Sequence, residues 1–268
     1  MAAGRGGRHS TVAFAWLSAA MGISEAWSTA QRLLIDAVLP PLCLGCGEIV
    51  ATPGALCLAC WPSFSFIAAP QCVRCGVPFA EEIGNDAHCA DCLTRPPHFR
   101  RARAALTYDD HSRRLVLPFK HGDRTDMARA CGAWMAAAAG ELLADADLVA
   151  PVPLHWRRFF TRRYNQALLL ARAVTRMSGR PLAPDLLRRR RWTGSQAGLK
   201  ANERRRNVRH AFDVHPRWQP RLAGKSVLLV DDVFTTGATV DACVRVLERS
   251  GARHVDVLTL ARVVRPAL

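Results

Sequence analysis

The chain has 268 residues, half of them hydrophobic, with 37 basic against 22 acidic side chains and a formal charge of +15. That length holds one good-sized α/β domain and one small module, and the apolar share excludes a disordered chain. No apolar run reaches the roughly 18 residues of a membrane span, and the charge argues for anionic partners.

The excess charge is local. Between Leu154 and Arg209 there are sixteen Arg or Lys and two acids, Asp185 and Glu203. A strip of this kind suits a nucleic-acid backbone. An arginine-rich composition with no partner behind it gives the same count.

In chain order, Arg5 and Arg8 precede the apolar run Thr11–Gly22, which superficially resembles a signal peptide. The run is weak and no clean cleavage site follows. Residues 1–28 are therefore expected to be an extension outside the fold, disordered or a mis-assigned start, with Met21 as an alternative initiator. Ala30–Leu39 has the period of a short amphipathic helix, stopped by Pro40 and Pro41.

Eight of the ten cysteines then form four C-x-x-C pairs, Cys43/Cys46, Cys57/Cys60, Cys72/Cys75 and Cys89/Cys92. Gly47 and Gly76 follow the first and third pairs, as a tight metal knuckle favours, so the unit repeats. Two structural four-cysteine zinc sites are expected, with no open position for catalysis. Sequential pairing follows the repeat, and interleaved pairing stays open, as does a redox role for one pair. Metal would supply much of the folding energy of so small a module, which is expected over residues 29–97. Cys131 and Cys243 fall in helical patterns and read as buried small hydrophobes.

Beyond the linker at residues 94–98, residues 98–268 read as a parallel α/β domain. Arg101–Tyr108 has strand character, and Ser112–His121 leads into Phe119-Lys120-His121-Gly122-Asp123. Asp126 is expected to cap a helix through about Leu143, with Trp134 and Met135 on its core face. Leu148–Val152 is a buried strand, followed by a loop carrying Arg157, Arg158, Arg162 and Arg163. Tyr164-Asn165-Gln166 opens the next helix. Arg188–Arg209 is expected to be a mobile loop leading into a helix, acting either as a lid over a ligand or as a strip along nucleic acid. Val227–Val230 is a second buried strand with Asp231 and Asp232 at its carboxyl end. The turn Thr235-Thr236-Gly237-Ala238-Thr239 enters a helix from Ala238 to Ser250, and His254–Ala261 is the final strand.

In an open parallel sheet the crevice beyond the carboxyl ends of the strands binds the ligand. A turn of small residues entering a helix aims backbone N–H groups and hydroxyls at one spot, which suits a phosphate monoester. Adjacent carboxylates suit vicinal hydroxyls, so the pair of features describes a ribose 5-phosphate. An ordinary βα turn whose threonines cap the helix is the plainer reading. The order of four apolar residues, two acids and T-T-G-x-T resembles the signature for 5-phosphoribosyl-1-pyrophosphate (PRPP) in type I phosphoribosyltransferases. That resemblance implies the 5-phosphate on Thr235, Thr236, Gly237, Ala238 and Thr239, and the ribose hydroxyls on Asp231 and Asp232. It also implies Mg²⁺ bound with PRPP, approached through water by Asp232. Lys120, Arg157, Arg158, Arg162 and Arg163 are candidate pyrophosphate contacts, a solvated surface being their alternative role.

From about Leu33 onward the chain resembles the ComF family. The resemblance rests on L-P-P-L-C-L-G-C-G, F-K-H-G-D, V-P-L-H-W-R-R-F-F-T-R-R-Y-N-Q-A, S-Q-A-G-L-K-A-N-E-R-R-R-N-V-R-H-A-F and V-D-D-V-F-T-T-G-A-T. Where the family shows R-G-F-N-Q, Arg163 here runs directly into Tyr164-Asn165-Gln166, so the family's glycine is missing. The resemblance implies a double zinc ribbon joined to a parallel-sheet, type I phosphoribosyltransferase-like α/β fold. It further implies a cytoplasmic protein that handles incoming single-stranded DNA, with the DNA-uptake machinery as a partner. Two functions stay open: a PRPP-binding protein of DNA uptake, and an active transferase that joins ribose 5-phosphate from PRPP to a nitrogen acceptor.

Overall fold

The computed structural model describes residues 40–84, 86–121, 124–154, 164–190 and 211–264. The expected extension over 1–28, the helix over 30–39, the four loop arginines and most of the basic stretch 188–209 lie outside the described residues. In chain order the elements are α1 (Ala90–Thr94), β1 (Ala102–Thr107), α2 (Asp110–His121), α3 (Ala128–Ala138), α4 (Gly140–Asp145) and β2 (Leu148–Pro151). There follow α5 (Gln166–Ser178), β3 (Leu187–Arg189), β4 (Phe212–Val214), α6 (Gln219–Leu222), β5 (Ser226–Phe234), α7 (Ala238–Arg249) and β6 (His254–Arg262). Among the described residues no helix is long and apolar enough to cross a membrane.

The main sheet has the order β1-β6-β5-β2, and all three pairings are parallel. Parallel strands are covered on both faces, which is why Val227 to Val230 are apolar without interruption and all buried. Their side chains alternate between two cores. Val227 and Leu229 pack with α7 and the hairpin β3-β4, whereas Leu228 and Val230 pack with α3 and α5.

Both edges of this sheet are covered. Along β1 the cysteine-rich segment supplies the partners: Ile67 N donates to Ala105 O at 2.9 Å, Ala102 N to Arg74 O at 2.7 Å and Thr107 N to Ser65 O at 2.9 Å. Along β2, Val149 N donates to Pro181 O and Val149 O accepts from Ala183 N. These ladder groups are thereby closed to pairing with a foreign strand.

Four expectations need correction. Asp126 does not cap a helix; Arg124 Nε holds its carboxylate at 3.0 Å, and residues Thr125–Met127 make a 3₁₀ turn instead. The helix that follows stops at Ala138, and a separate α4 restarts at Gly140, because Ala139 leaves the helical region at φ −116° and ψ 21°. Met135 faces the core as expected, and Trp134 packs against that same core, where it meets Phe66 edge-on at 5.3 Å. Arg188–Arg209, expected as a mobile loop leading into a helix, begins instead in a strand, and residues 191–209 lie outside the described residues. Arg188 and Arg189 belong to β3, which pairs antiparallel with β4, and three-residue strands are too short to display a period of two. Last, β5 does not stop at Val230 but runs to Phe234, because β6 keeps pairing with it as far as Phe234↔Arg262.

Candidate metal centres and anion cleft

Cys43, Cys46, Cys57 and Cys60 form one tetrad, and Cys72, Cys75, Cys89 and Cys92 a second; within each, all four Sγ atoms lie within 4.8 Å of one another. The pairing is therefore sequential. Cys46 and Cys57 Sγ are 3.7 Å apart, and Cys75 and Cys89 Sγ are 3.6 Å apart. A disulfide requires about 2.05 Å, whereas tetrahedral Zn–S bonds of about 2.3 Å set sulfurs about 3.8 Å apart. The residues fit four-thiolate zinc.

Each knuckle is shaped by backbone amides. Cys57 N donates to Cys43 Sγ at 3.2 Å, and Cys89 N to Cys72 Sγ at 3.3 Å. Burial alone would raise the Cys43 thiol, but the amides of Cys57, Cys46 and Gly45 together bring it down to about 6. Cys72 is likewise lowered to about 6 against its burial, by the amides of Cys75, Cys89 and Arg74. Their companions go the other way. The Cys46 sulfur, then burial, pushes Cys60 up to about 12, and burial, with Cys75 beside it, pushes Cys89 up to about 11. Four sulfurs this close do not all ionise without a cation, and zinc held by them would supply the missing charge.

The second tetrad is wired into the sheet. Gly76 has φ +68°, and a Cβ there would lie 2.4 Å from Ala102 O, so only glycine lets the knuckle rest on β1. Arg262, buried at the end of β6, donates from Nη1 to Cys75 O. Its guanidinium also lies 5.4 Å from the centre of the Phe234 ring. Phe99 meets the same ring edge-on at 5.9 Å. The ring in turn lies against Gly237, where a Cβ would come within 2.8 Å of Phe234 Cζ.

Gly237 begins the second feature. β2 pairs with β5 only as far as Pro151↔Val230, so residues 231–234 project past β2 and open a notch at the carboxyl edge of the sheet. Gly237, at φ 71°, is the N-cap of α7, with no side-chain capping bond. Gly237 itself has no side chain to cap the helix, whose first amides carry the positive end of the helix dipole. They face an open cleft lined by Asp231, Val233, Phe234, Thr235, Gly237, Ala238, Thr239 and Val240. Such a cleft can take a phosphate through N–H groups and hydroxyls.

The two acids part company here. Asp231 lines the cleft. Asp232, one step along the strand, follows the alternation of Leu228 and Val230 to the other face, where Lys120 Nζ lies 3.2 Å from its Oδ2. Thr236 stands in the same turn without lining the cleft. Lys120 is thus brought to Asp232, while Arg157, Arg158, Arg162 and Arg163 lie outside the described residues. Sequence reasoning missed Phe234 and Arg262 as supports of the loop. The only signal was a cation at the end of an apolar strand. It also missed Tyr164 and Gln166, whose side chains reach the end of α2.

Comparison with known proteins matches both halves. The profile of the double zinc ribbon domain fits residues 34–93, and that of the phosphoribosyl transferase domain fits residues 176–266. Competence protein F of Haemophilus influenzae is 28% identical over 226 residues, covering 82% of this chain and 96% of that protein. DNA utilization protein YhgH of Escherichia coli O157:H7 is 31% identical over 196 residues, covering 71% of this chain and 83% of that protein. Competence protein ComFC of Bacillus subtilis is 27% identical over 215 residues, covering 77% and 84% respectively.

Proposed function

The chain belongs to the ComF family, and on that premise we propose that it binds PRPP with Mg²⁺ and handles single-stranded DNA in the cytoplasm during DNA uptake. The observation that carries the reading is the cleft itself: Asp231, Thr235, Gly237 and Thr239 converge at the N-terminus of α7 beyond the carboxyl edge of a parallel sheet. In this reading the α7 turn, Thr235 to Thr239, takes the 5-phosphate and Asp231 takes the ribose hydroxyls, with Asp232 on the side of Lys120. Lys120 and the arginines 157, 158, 162 and 163 face the pyrophosphate. Mg²⁺ would neutralise pyrophosphate charge, with Asp232 reaching it through water. The names of the relatives, which speak of competence and DNA utilization, and the sixteen basic residues of 154–209 support the DNA role.

The test is a fluorescence-anisotropy titration of labelled single-stranded DNA at several salt concentrations, with and without Mg²⁺–PRPP. Expected is binding whose log affinity falls with log salt by about 0.7 per phosphate neutralised, and which PRPP alters. DNA binding indifferent to salt and to PRPP would sink the reading. A transferase reading is favoured by one observation, the Lys120 ammonium beside Asp232, because a fixed cation there would stabilise departing pyrophosphate. Acceptor-dependent pyrophosphate release would decide for it.

A further inference from the structure

Lys120 is one of three lysines among 37 basic residues, and it stands in the last turn of α2. α2 ends at His121, so the carbonyls of its last turn have no partner within the helix. Side chains from the start of α5 supply the partners. Tyr164 Oη donates to Phe119 O at 2.7 Å, and Gln166 Nε2 donates to Lys120 O at 3.2 Å and Phe119 O at 3.5 Å. Between them, Asn165 Nδ2 donates to Val152 O at 3.2 Å, just past β2. Three consecutive side chains therefore fasten the end of α2 to the end of the strand beside β5. Gln166 is 2% exposed and Phe119 fully buried, so the bond between them is shielded from water, and the bonds of Tyr164 and to Lys120 O are part-buried. From the backbone held this way, the Lys120 ammonium stands 3.2 Å from Asp232.

We infer that Gln166 and Tyr164 are positioning residues that set where the Lys120 ammonium stands, and thereby whether a cation meets Asp232 and the pyrophosphate end of a ligand. Both side chains are uncharged and bond to carbonyls, so they act by place and not by field. A helix end without such partners frays, and the four-carbon stem of lysine follows its backbone.

The test uses the full zinc-loaded chain with Q166M, Y164F and K120M. The first arm is timed acetylation of lysine amines read by mass spectrometry, with Lys225 as internal reference. Release from Asp232 is expected to speed modification of Lys120 about tenfold in Q166M and less in Y164F, with Lys225 unchanged. Y164F, which removes one oxygen, carries this arm if Q166M does not fold. Equal rates at Lys120 in wild type and variant overturn the inference. The second arm rests on the PRPP reading: K120M and Q166M each weaken Mg²⁺–PRPP binding about tenfold, and the double variant binds no worse than K120M alone. A merely structural role would make the two losses add, which overturns positioning. Wild type that fails to bind PRPP overturns the PRPP reading, and the acetylation arm then decides the inference by itself.

Discussion

The two cysteine tetrads repeat one motif, yet one is an appendage and the other part of the core. Around the first, Leu42, Ile49, Leu58 and Trp61 are exposed, Leu58 to 94%. Glu48 is the single charged residue from 40 to 70. This tetrad reaches the sheet's core through Leu44 and Phe64. Around the second, Cys72, Cys75 and Cys92 are buried in the same core as α7. Arg103 donates to Val73 O at 3.1 Å, and Arg262 holds Cys75 O. The cysteines alone do not make this difference. Their neighbours do: among the described residues, only the second knuckle has buried arginines from two strands hydrogen-bonded to its carbonyls, and only it shares packing with the anion loop.

The comparison breaks most readily at the metal. Cys72→Ser places a poor ligand in a fully buried site, and the variant should lose one zinc and on the order of 4 kcal/mol of stability. Cys46→Ser, at an exposed ligand, should lose one zinc and less than about half that stability. Zinc content and denaturant unfolding measure both. Equal losses would mean the tetrads are equivalent after all.

Arg262→Met sharpens the point without touching a ligand. It leaves Cys75 O without its buried donor and should cost about 1–3 kcal/mol. Both zincs should be retained, while affinity for Mg²⁺–PRPP falls as Phe234 loses its support. Unchanged affinity by calorimetry would uncouple the second knuckle from the loop. Gly237→Ala comes next, at about 1–2 kcal/mol for a left-handed residue given a Cβ. Its loss of PRPP affinity should be partly restored by Phe234→Leu, which clears the atom the new methyl meets. Smallest of all, Leu58→Ser on the first ribbon should shift stability by less than about 0.5 kcal/mol and leave PRPP affinity alone. A larger effect on melting would show that the first tetrad is no appendage.

Much of this was legible beforehand, and the parts that were not share a cause. The C-x-x-C pairs, the run Val227–Val230 and the turn to Thr239 announce themselves because their chemistry is local: ligand spacing, apolar continuity and small residues before a helix. Asp126 was misread because a cap depends on backbone angles, and Arg124 two residues away claimed its carboxylate first. The hairpin β3-β4 was missed because its two strands pair across residues 190–211, and neither is long enough to show its own period.

By itself the sequence determined the two zinc units, the parallel α/β class and the stretch that forms the cleft, since each follows from residues near one another in the chain. Only the tertiary structure decided that β6 extends β5 past the acids. It alone sent Asp231 and Asp232 to opposite faces, brought Lys120 to Asp232 and joined Arg262 to Cys75 across 187 residues. The physical reason is that strand register and burial settle which side a residue faces, and both are set by elements distant in the chain.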